Sequence, residues 1–141
     1  MTNQMYPCLW FDGNAKAAAA YYCAVFKNSK IMADTPMVVT FEINGQKFMG
    51  LNGGPQFKFT EAVSFVVNCD TQEEIDYYWE ALTAGGGKES QCGWLKDQFG
   101  LSWQIVPSVL SKLITNPEKG QRVMAALMKM KKLDIKALEA A

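Results

Sequence analysis

A chain of 141 residues with 49% apolar and 20% charged residues is long enough to bury a real core and has the make-up of a globular protein. Fourteen basic residues balance fourteen acidic ones, which leaves no net field to draw in nucleic acid or an anionic membrane surface. Histidine is absent, so Ser-His-Asp and Cys-His catalysis, the His-based zinc hydrolases and the two-His-one-carboxylate iron site are excluded together. Any proton transfer near neutral pH falls to a perturbed Glu, Asp, Lys, Cys or Tyr.

Met1 to Gln4 has no basic region leading into an apolar stretch, and no apolar run approaches membrane length, so the expected location is the cytoplasm. Met5 to Phe11 reads as a strand closed by a turn at Asp12-Gly13. Asn14 is a good N-cap for the Ala-rich helical run to Phe26, which Asn28-Ser29 breaks. Lys30 to Ala33 is a short strand, and Thr35-Pro36 marks a loop.

Met37–Ile43 and Gln46–Leu51 flank Asn44-Gly45, the strongest hairpin signal in the chain, because a type I′ turn needs φ > 0 at both central residues. A two-residue turn sets Phe41 opposite Phe48, Glu42 opposite Lys47 and Thr40 opposite Met49. Val39, Phe41 and Phe48 then share one face, and Thr40, Glu42, Lys47 and Met49 the other. Asn52-Gly53-Gly54-Pro55 links this half to the next and reads as a plain turn, since no helix follows to make it a phosphate loop.

Ala62 to Asn68 is the next strand, with Asp70 as N-cap of a helix over 71–82 whose Glu73 and Glu74 favour its positive end. Gly85-Gly86-Gly87 stops it. A weak strand over 88–92, Trp94-Leu95, a turn around Asp97 to Gly100 and a strand over 101–106 follow, ended by Pro107. The remainder is helical: 108–114, a helix starting at Pro117 with Met124, Leu127, Met128 and Met130 packing on the sheet, and a short turn or helix over 133–138. Its lysines and Arg122 read as a solvated helix face, since they lack the aromatic interleaving of a single-strand binder.

Cys8, Cys23, Cys69 and Cys92 are not closely paired, which argues against a zinc ribbon or redox motif; three of them sit in apolar settings as small hydrophobes. Cys92 as a nucleophile would have no evident base beside it.

The two halves echo each other at one offset: Leu9 answers to Phe65, Asp12 to Asn68, Asn14 to Asp70 and Tyr21-Tyr22 to Tyr77-Tyr78. Gly45 to Met49 runs parallel to Gly100 to Gln104. Each half reads strand, helix, then three strands. The expected fold is α+β: a single domain over 1–141 with two tandem βαβββ modules, about 4–55 and 60–107, forming an incomplete barrel with a central cleft, plus a helical tail over 108–141.

This repeat resembles the vicinal-oxygen-chelate superfamily, which includes glyoxalase I, ring-cleaving dioxygenases and antibiotic-resistance proteins. The stretch Cys92-Gly93-Trp94-Leu95-Lys96-Asp97, then Phe99-Gly100-Leu101-Ser102-Trp103-Gln104-Ile105-Val106-Pro107, is similar to the signature of the PhnB-like family, also called the 3-demethylubiquinone-9 3-methyltransferase domain. Trp10-Phe11-Asp12-Gly13-Asn14, Asn52-Gly53-Gly54-Pro55 and 61–70 extend the resemblance over nearly the whole chain.

Metal-dependent members of the superfamily carry one ligand on the first and one on the last strand of each module. The resemblance puts Tyr6, Ala62, Met49 and Gln104 at those positions, and only Gln104 offers even a weak carbonyl, so no metal and no cofactor is expected. The methyltransferase label reads as a family name, because no Gly-rich loop follows the first strand and the alternation does not suit a parallel dinucleotide-type sheet.

What the resemblance leaves is a cleft for an unidentified small organic molecule. By strand parity its walls are Tyr6, Cys8, Trp10, Thr40, Glu42, Lys47, Met49, Ser64, Asp97, Ser102 and Gln104. Against this stand local roles: Glu42 and Lys47 as a cross-strand ion pair, and Asp97 shaping the turn before Phe99-Gly100. The leading reading is a small-molecule-binding protein with a degenerate, metal-free site. The alternative is a metal-independent enzyme using Glu42, Asp97, Tyr6 or Cys92. The superfamily also implies a homodimer.

Overall fold

The structure, a computed structural model, describes residues 3–141, so Met1 and Thr2 of the leader reading lie outside the described residues. The chain forms two compact units, Met1–Phe59 and Thr60–Ala141. Each carries strand, helix and three strands, as the repeat predicts.

The first unit contains β1 (Cys8–Phe11), α1 (Ala15–Val25), β2 (Ser29–Asp34), β3 (Val38–Ile43) and β4 (Gln46–Asn52) in a sheet of order β1-β4-β3-β2. β1 runs parallel to β4, and the other two pairings are antiparallel. The hairpin forms as expected, with φ of 50° at Asn44 and 83° at Gly45 and with Phe41, Glu42 and Thr40 opposite Phe48, Lys47 and Met49. Val39, Phe41 and Phe48 are buried against α1, whose inward face is Ala15, Ala18, Ala19, Tyr22 and Val25. The small alanines let the helix lie close: a Cβ on Gly50 would come within 3.1 Å of the Ala15 Cβ.

Two expectations about this unit need correction. Asn14 holds the N-cap position, but its side chain caps nothing. The Asn52 Oδ1 accepts from the Ala15 N–H at 2.9 Å instead, a cap delivered from the far end of the unit. The segment expected as a plain linker is thereby a clasp. Asn52 also donates to the Pro36 carbonyl at 2.9 Å, Gly53 N–H donates to the Phe11 carbonyl at 3.0 Å, and the Trp10 indole donates to the Gly54 carbonyl at 2.8 Å.

The second unit repeats the order with β5 (Ser64–Cys69), α2 (Gln72–Thr83), β6 (Lys88–Glu89), β7 (Trp94–Lys96) and β8 (Ser102–Pro107), in a sheet of order β5-β8-β7-β6. Its helix is capped by Thr71, not Asp70. The Thr71 Oγ1 accepts from Glu74 N–H at 3.2 Å and the Glu74 carboxylate accepts from Thr71 N–H at 3.1 Å, a reciprocal capping box. Asp70 accepts from the Ser108 hydroxyl at 2.7 Å. Ile75, Trp79 and Leu82 of α2 pack with Leu95, Leu101, Trp103 and Ile105 as the buried core.

The tail forms α3 (Leu110–Ile114), α4 (Gly120–Leu127) and α5 (Ile135–Ala140) around Val123, Leu127, Leu133 and Leu138. Of the expected apolar face, Leu127 and Met130 pack on this core, whereas Met124 is 42% and Met128 63% exposed. Helical spacing brings Val123 and Leu127 inward on one stripe and turns Met124 and Met128 out. The Cys92 and Gly93 N–H groups donate to the Met130 and Lys131 carbonyls at 2.7 and 2.8 Å, and Gln72 clamps Leu133 and Ile135, which fixes the tail to the second unit. Among the described residues no helix is long and apolar enough to cross a membrane.

Candidate functional site

Strand alternation places one face of each sheet against its helix and leaves the other for chemistry. In the first unit Cys8, Met49 and Thr40 are register partners across β1, β4 and β3, so they stand side by side on the open face. Cys8 is exposed, and partial desolvation still pushes its thiol above the usual range, which disfavours a thiolate there. The next row is Lys30, Glu42 and Lys47 across β2, β3 and β4. Glu42 therefore sits between two lysines.

Glu42 and Lys47 do not close the expected ion pair: the pairs among the described residues are Lys16–Asp34, Lys96–Glu61 and Lys132–Asp76. The Lys47 ammonium lies 4.2 Å from the centroid of the Tyr6 ring, where the quadrupole of the aromatic face attracts it. Tyr6 precedes β1 and meets Lys47 across the sheet end, so these two predicted residues are brought together. Glu42 borders an open cavity of about 230 Å³ beside Asn28, Ser29, Lys30 and Gly45.

In the second unit Gln104 and Ser64 meet: the amide donates to the Ser64 hydroxyl at 2.9 Å. They are diagonal neighbours, because β5 pairs Ser64 with Ser102 and Val66 with Gln104. The repeat offset equates Cys8 with Ser64 and Met49 with Gln104, and so predicts Ser64 directly opposite Gln104. The observed register has slid by one two-residue repeat, which keeps every side chain on its face but changes its partner. Anchored on Met49 and Gln104, the residue that matches Tyr6 is Ser64 rather than Ala62. Nothing in the sequence marks this slide, since parity is unaltered.

Asp97 does not stand on the open face. It is 3% exposed, and its carboxylate accepts from Phe99 N–H at 2.8 Å, Leu101 N–H at 3.1 Å and the Trp103 indole at 2.9 Å. Of the two roles expected for it, the turn-shaping one accounts for all three contacts. Ser102 replaces it as the notable polar group: 1% exposed, with no hydrogen-bond partner for its hydroxyl. Cys92 is half-buried at φ 61°, its sulfur 3.9 Å from that of Met128.

In neither unit does the donor set fit a resident metal ion. Gln104 and Ser64 offer neutral oxygens, Met49 a thioether, and among the described residues no three His, Cys, Asp or Glu side chains converge.

Comparison with known proteins agrees with the repeated βαβββ fold. A sequence profile described as 3-demethylubiquinone-9 3-methyltransferase matches residues 3–106. No curated protein matches in sequence. Among solved structures, a putative 3-demethylubiquinone-9 3-methyltransferase, PhnB protein, from Bacillus cereus is 30% identical, with a TM-score of 0.68 over 75% of this chain and 100% of that one. The fosfomycin resistance protein FosX from Listeria monocytogenes, solved with Mn(II) and sulfate, is 16% identical, with a TM-score of 0.59 over 80% and 96%. A glyoxalase-related enzyme from Fulvimarina pelagi is 15% identical, with a TM-score of 0.55 over 77% and 91%. These last two share the fold. With the repeated βαβββ unit, the profile match and the Bacillus cereus relative, this chain belongs to the PhnB-like, 3-demethylubiquinone-9 3-methyltransferase family.

Proposed function

We propose that this chain is a small-molecule-binding protein on the glyoxalase scaffold whose site works without a metal ion. The observation that carries the reading is the chemistry of the open strand faces, unit by unit: Tyr6 and Met49 in the first supply an aromatic ring and a thioether, and Ser64 and Gln104 in the second a hydroxyl–amide pair already bonded to each other. Such groups orient an organic ligand by shape and single hydrogen bonds, and they do not hold a divalent cation. The methyltransferase label finds no support in the sheets, each of which mixes one parallel with two antiparallel pairings.

The metal-independent enzyme loses one of its two candidate carboxylates, because the oxygens of Asp97 are committed to three N–H donors. Four free cysteines suit a reducing compartment such as the cytoplasm, and a homodimer is the assembly we expect. Native mass spectrometry of freshly purified protein tests the reading. It should show chains in pairs retaining an organic compound, with no stoichiometric nickel, zinc, iron or manganese. One tightly held ion per chain, lost on replacing Gln104, would overturn it.

A further inference from the structure

One row of the second sheet runs Lys88, Lys96, Ser102, Ser64, each the register partner of the next across β6, β7, β8 and β5. Register partners share a face, so two ammonium groups stand directly opposite each other, an arrangement that costs stability unless something of opposite charge lies between them. Glu61 relieves half of it, its carboxylate 2.9 Å from the Lys96 ammonium and held by it below the usual carboxylate range. Lys88 has no such partner among the ion pairs of the described residues.

Beside these lysines opens a cavity of about 220 Å³, and Ser102 lines it. Its hydroxyl is the buried side-chain polar atom left without a partner among the described residues. Native proteins keep such a group where a ligand or a solvent molecule completes it. Glu61, Glu89, Ser90 and Leu95 also border the cavity; the Glu61 carboxylate is committed to Lys96, Glu89 and Leu95 are partners of the opposite parity, and Leu95 belongs to the core. On the parity of Ser102, one repeat along, stands the half-buried Trp94 opposite Gln104. The row thus combines a hydroxyl donor, an unpaired cation and a flat aromatic wall.

We propose that this cavity binds a small organic anion, its oxyanion head on Ser102 and Lys88 and its planar apolar body against Trp94. The inference rests on the small-molecule reading above and narrows it to a ligand class. A volume of about 220 Å³ falls short of the ~300 Å³ at which sites for drug-sized ligands begin, so the occupant is a compact acid of about one ring. Carboxylate and phosphate heads share the required chemistry, an anion accepting from a hydroxyl and an ammonium group.

Calorimetric titration of the full chain separates the possibilities, with benzoate, inorganic phosphate and neutral benzamide as probes at low and high salt. Benzoate should bind, weaken with salt and exceed benzamide by about tenfold or more, as an added charge-assisted contact implies. Phosphate binding alone would assign the head and remove Trp94 from the site, overturning that half of the proposal. Ser102→Ala should weaken benzoate by about tenfold while leaving the melting temperature unchanged or higher, since it deletes a hydroxyl with no partner. Lys88→Gln should act similarly on affinity, and Lys30→Gln, in the other unit, should not. Equal binding of benzamide and benzoate, no binding of any anion, or full affinity in Ser102→Ala each overturns the proposal. A neutral compound found retained in the mass spectrometer would leave the small-molecule reading standing and sink only this narrower one.

Discussion

The two units are copies in outline and differ in how they hold their last hairpin. In the first, β3 and β4 meet through Asn44-Gly45, and local backbone conformation does the work. In the second, β7 and β8 are joined through residues 97–101, and the turn is built around the buried Asp97 carboxylate. The first sheet accordingly has six- and seven-residue strands in β2, β3 and β4, whereas β6 and β7 have two and three residues. A hairpin fixed by φ and ψ alone leaves its open face to side chains that satisfy one another, as Lys47 and Tyr6 do. A hairpin fixed by a buried charge draws its polar groups inward and, in the same sheet, leaves Ser102 unanswered beside a cavity. The duplication teaches that a copied topology does not copy a site.

The largest test of that contrast is Asp97→Ala. Two backbone N–H groups and the Trp103 indole would lose their acceptor, and at ~1–3 kcal/mol for each orphaned buried donor the expected loss is at least ~3 kcal/mol. Chemical denaturation measures it; a loss below about 1 kcal/mol would mean that the turn holds itself, as its counterpart does.

Alkaline pH should expose a second difference. Burial, with smaller contributions from Glu74 and Asp70, pushes the Cys69 thiol from 9.0 up to about 11. The folded state therefore holds its proton more tightly than the unfolded one. The contribution is fully present below pH 9.0 and is lost as pH rises toward 11. That displacement corresponds to roughly 2–3 kcal/mol at the upper end. Cys69→Ala should flatten this limb of the stability curve; an unchanged limb would assign it to other groups, such as Tyr78, also raised by burial.

The smallest effect belongs to the first unit. Asn44→Ala forces a residue with a Cβ and no compensating side-chain amide into φ 50°, at a cost of about 1 kcal/mol. Thermal unfolding should register a shift of a few degrees, far less than for Asp97→Ala. Comparable losses in the two variants would erase the distinction between a turn made by conformation and one made by charge.

Much of the fold was legible because its signals are local. Asn44-Gly45 determined a turn type, the turn determined the register of β3 and β4, and alternation then named Val39, Phe41 and Phe48 as core. The repeat and the Cys92 to Pro107 signature carried the family. Helix caps were read less well, since Asn14 and Asp70 are good capping residues by type and the choice of Asn52 and Thr71 depends on what packs nearby. Methionine spacing misled in α4 because Met124 and Met128 lie one residue beyond the buried Val123 and Leu127 stripe.

The sequence by itself determined the order of elements and the faces of the strands, both of which follow from residue type and two- or three-residue neighbourhoods. Only the tertiary structure decided which polar groups find each other. Ala15 and Asn52 are 37 residues apart, and Gln104 and Ser64 are 40 apart. The slide of β5 along β8 and the unpartnered hydroxyl of Ser102 depend on such meetings too. A hydrogen bond needs its partner within about 3 Å, and across such separations no local preference fixes that distance; packing does.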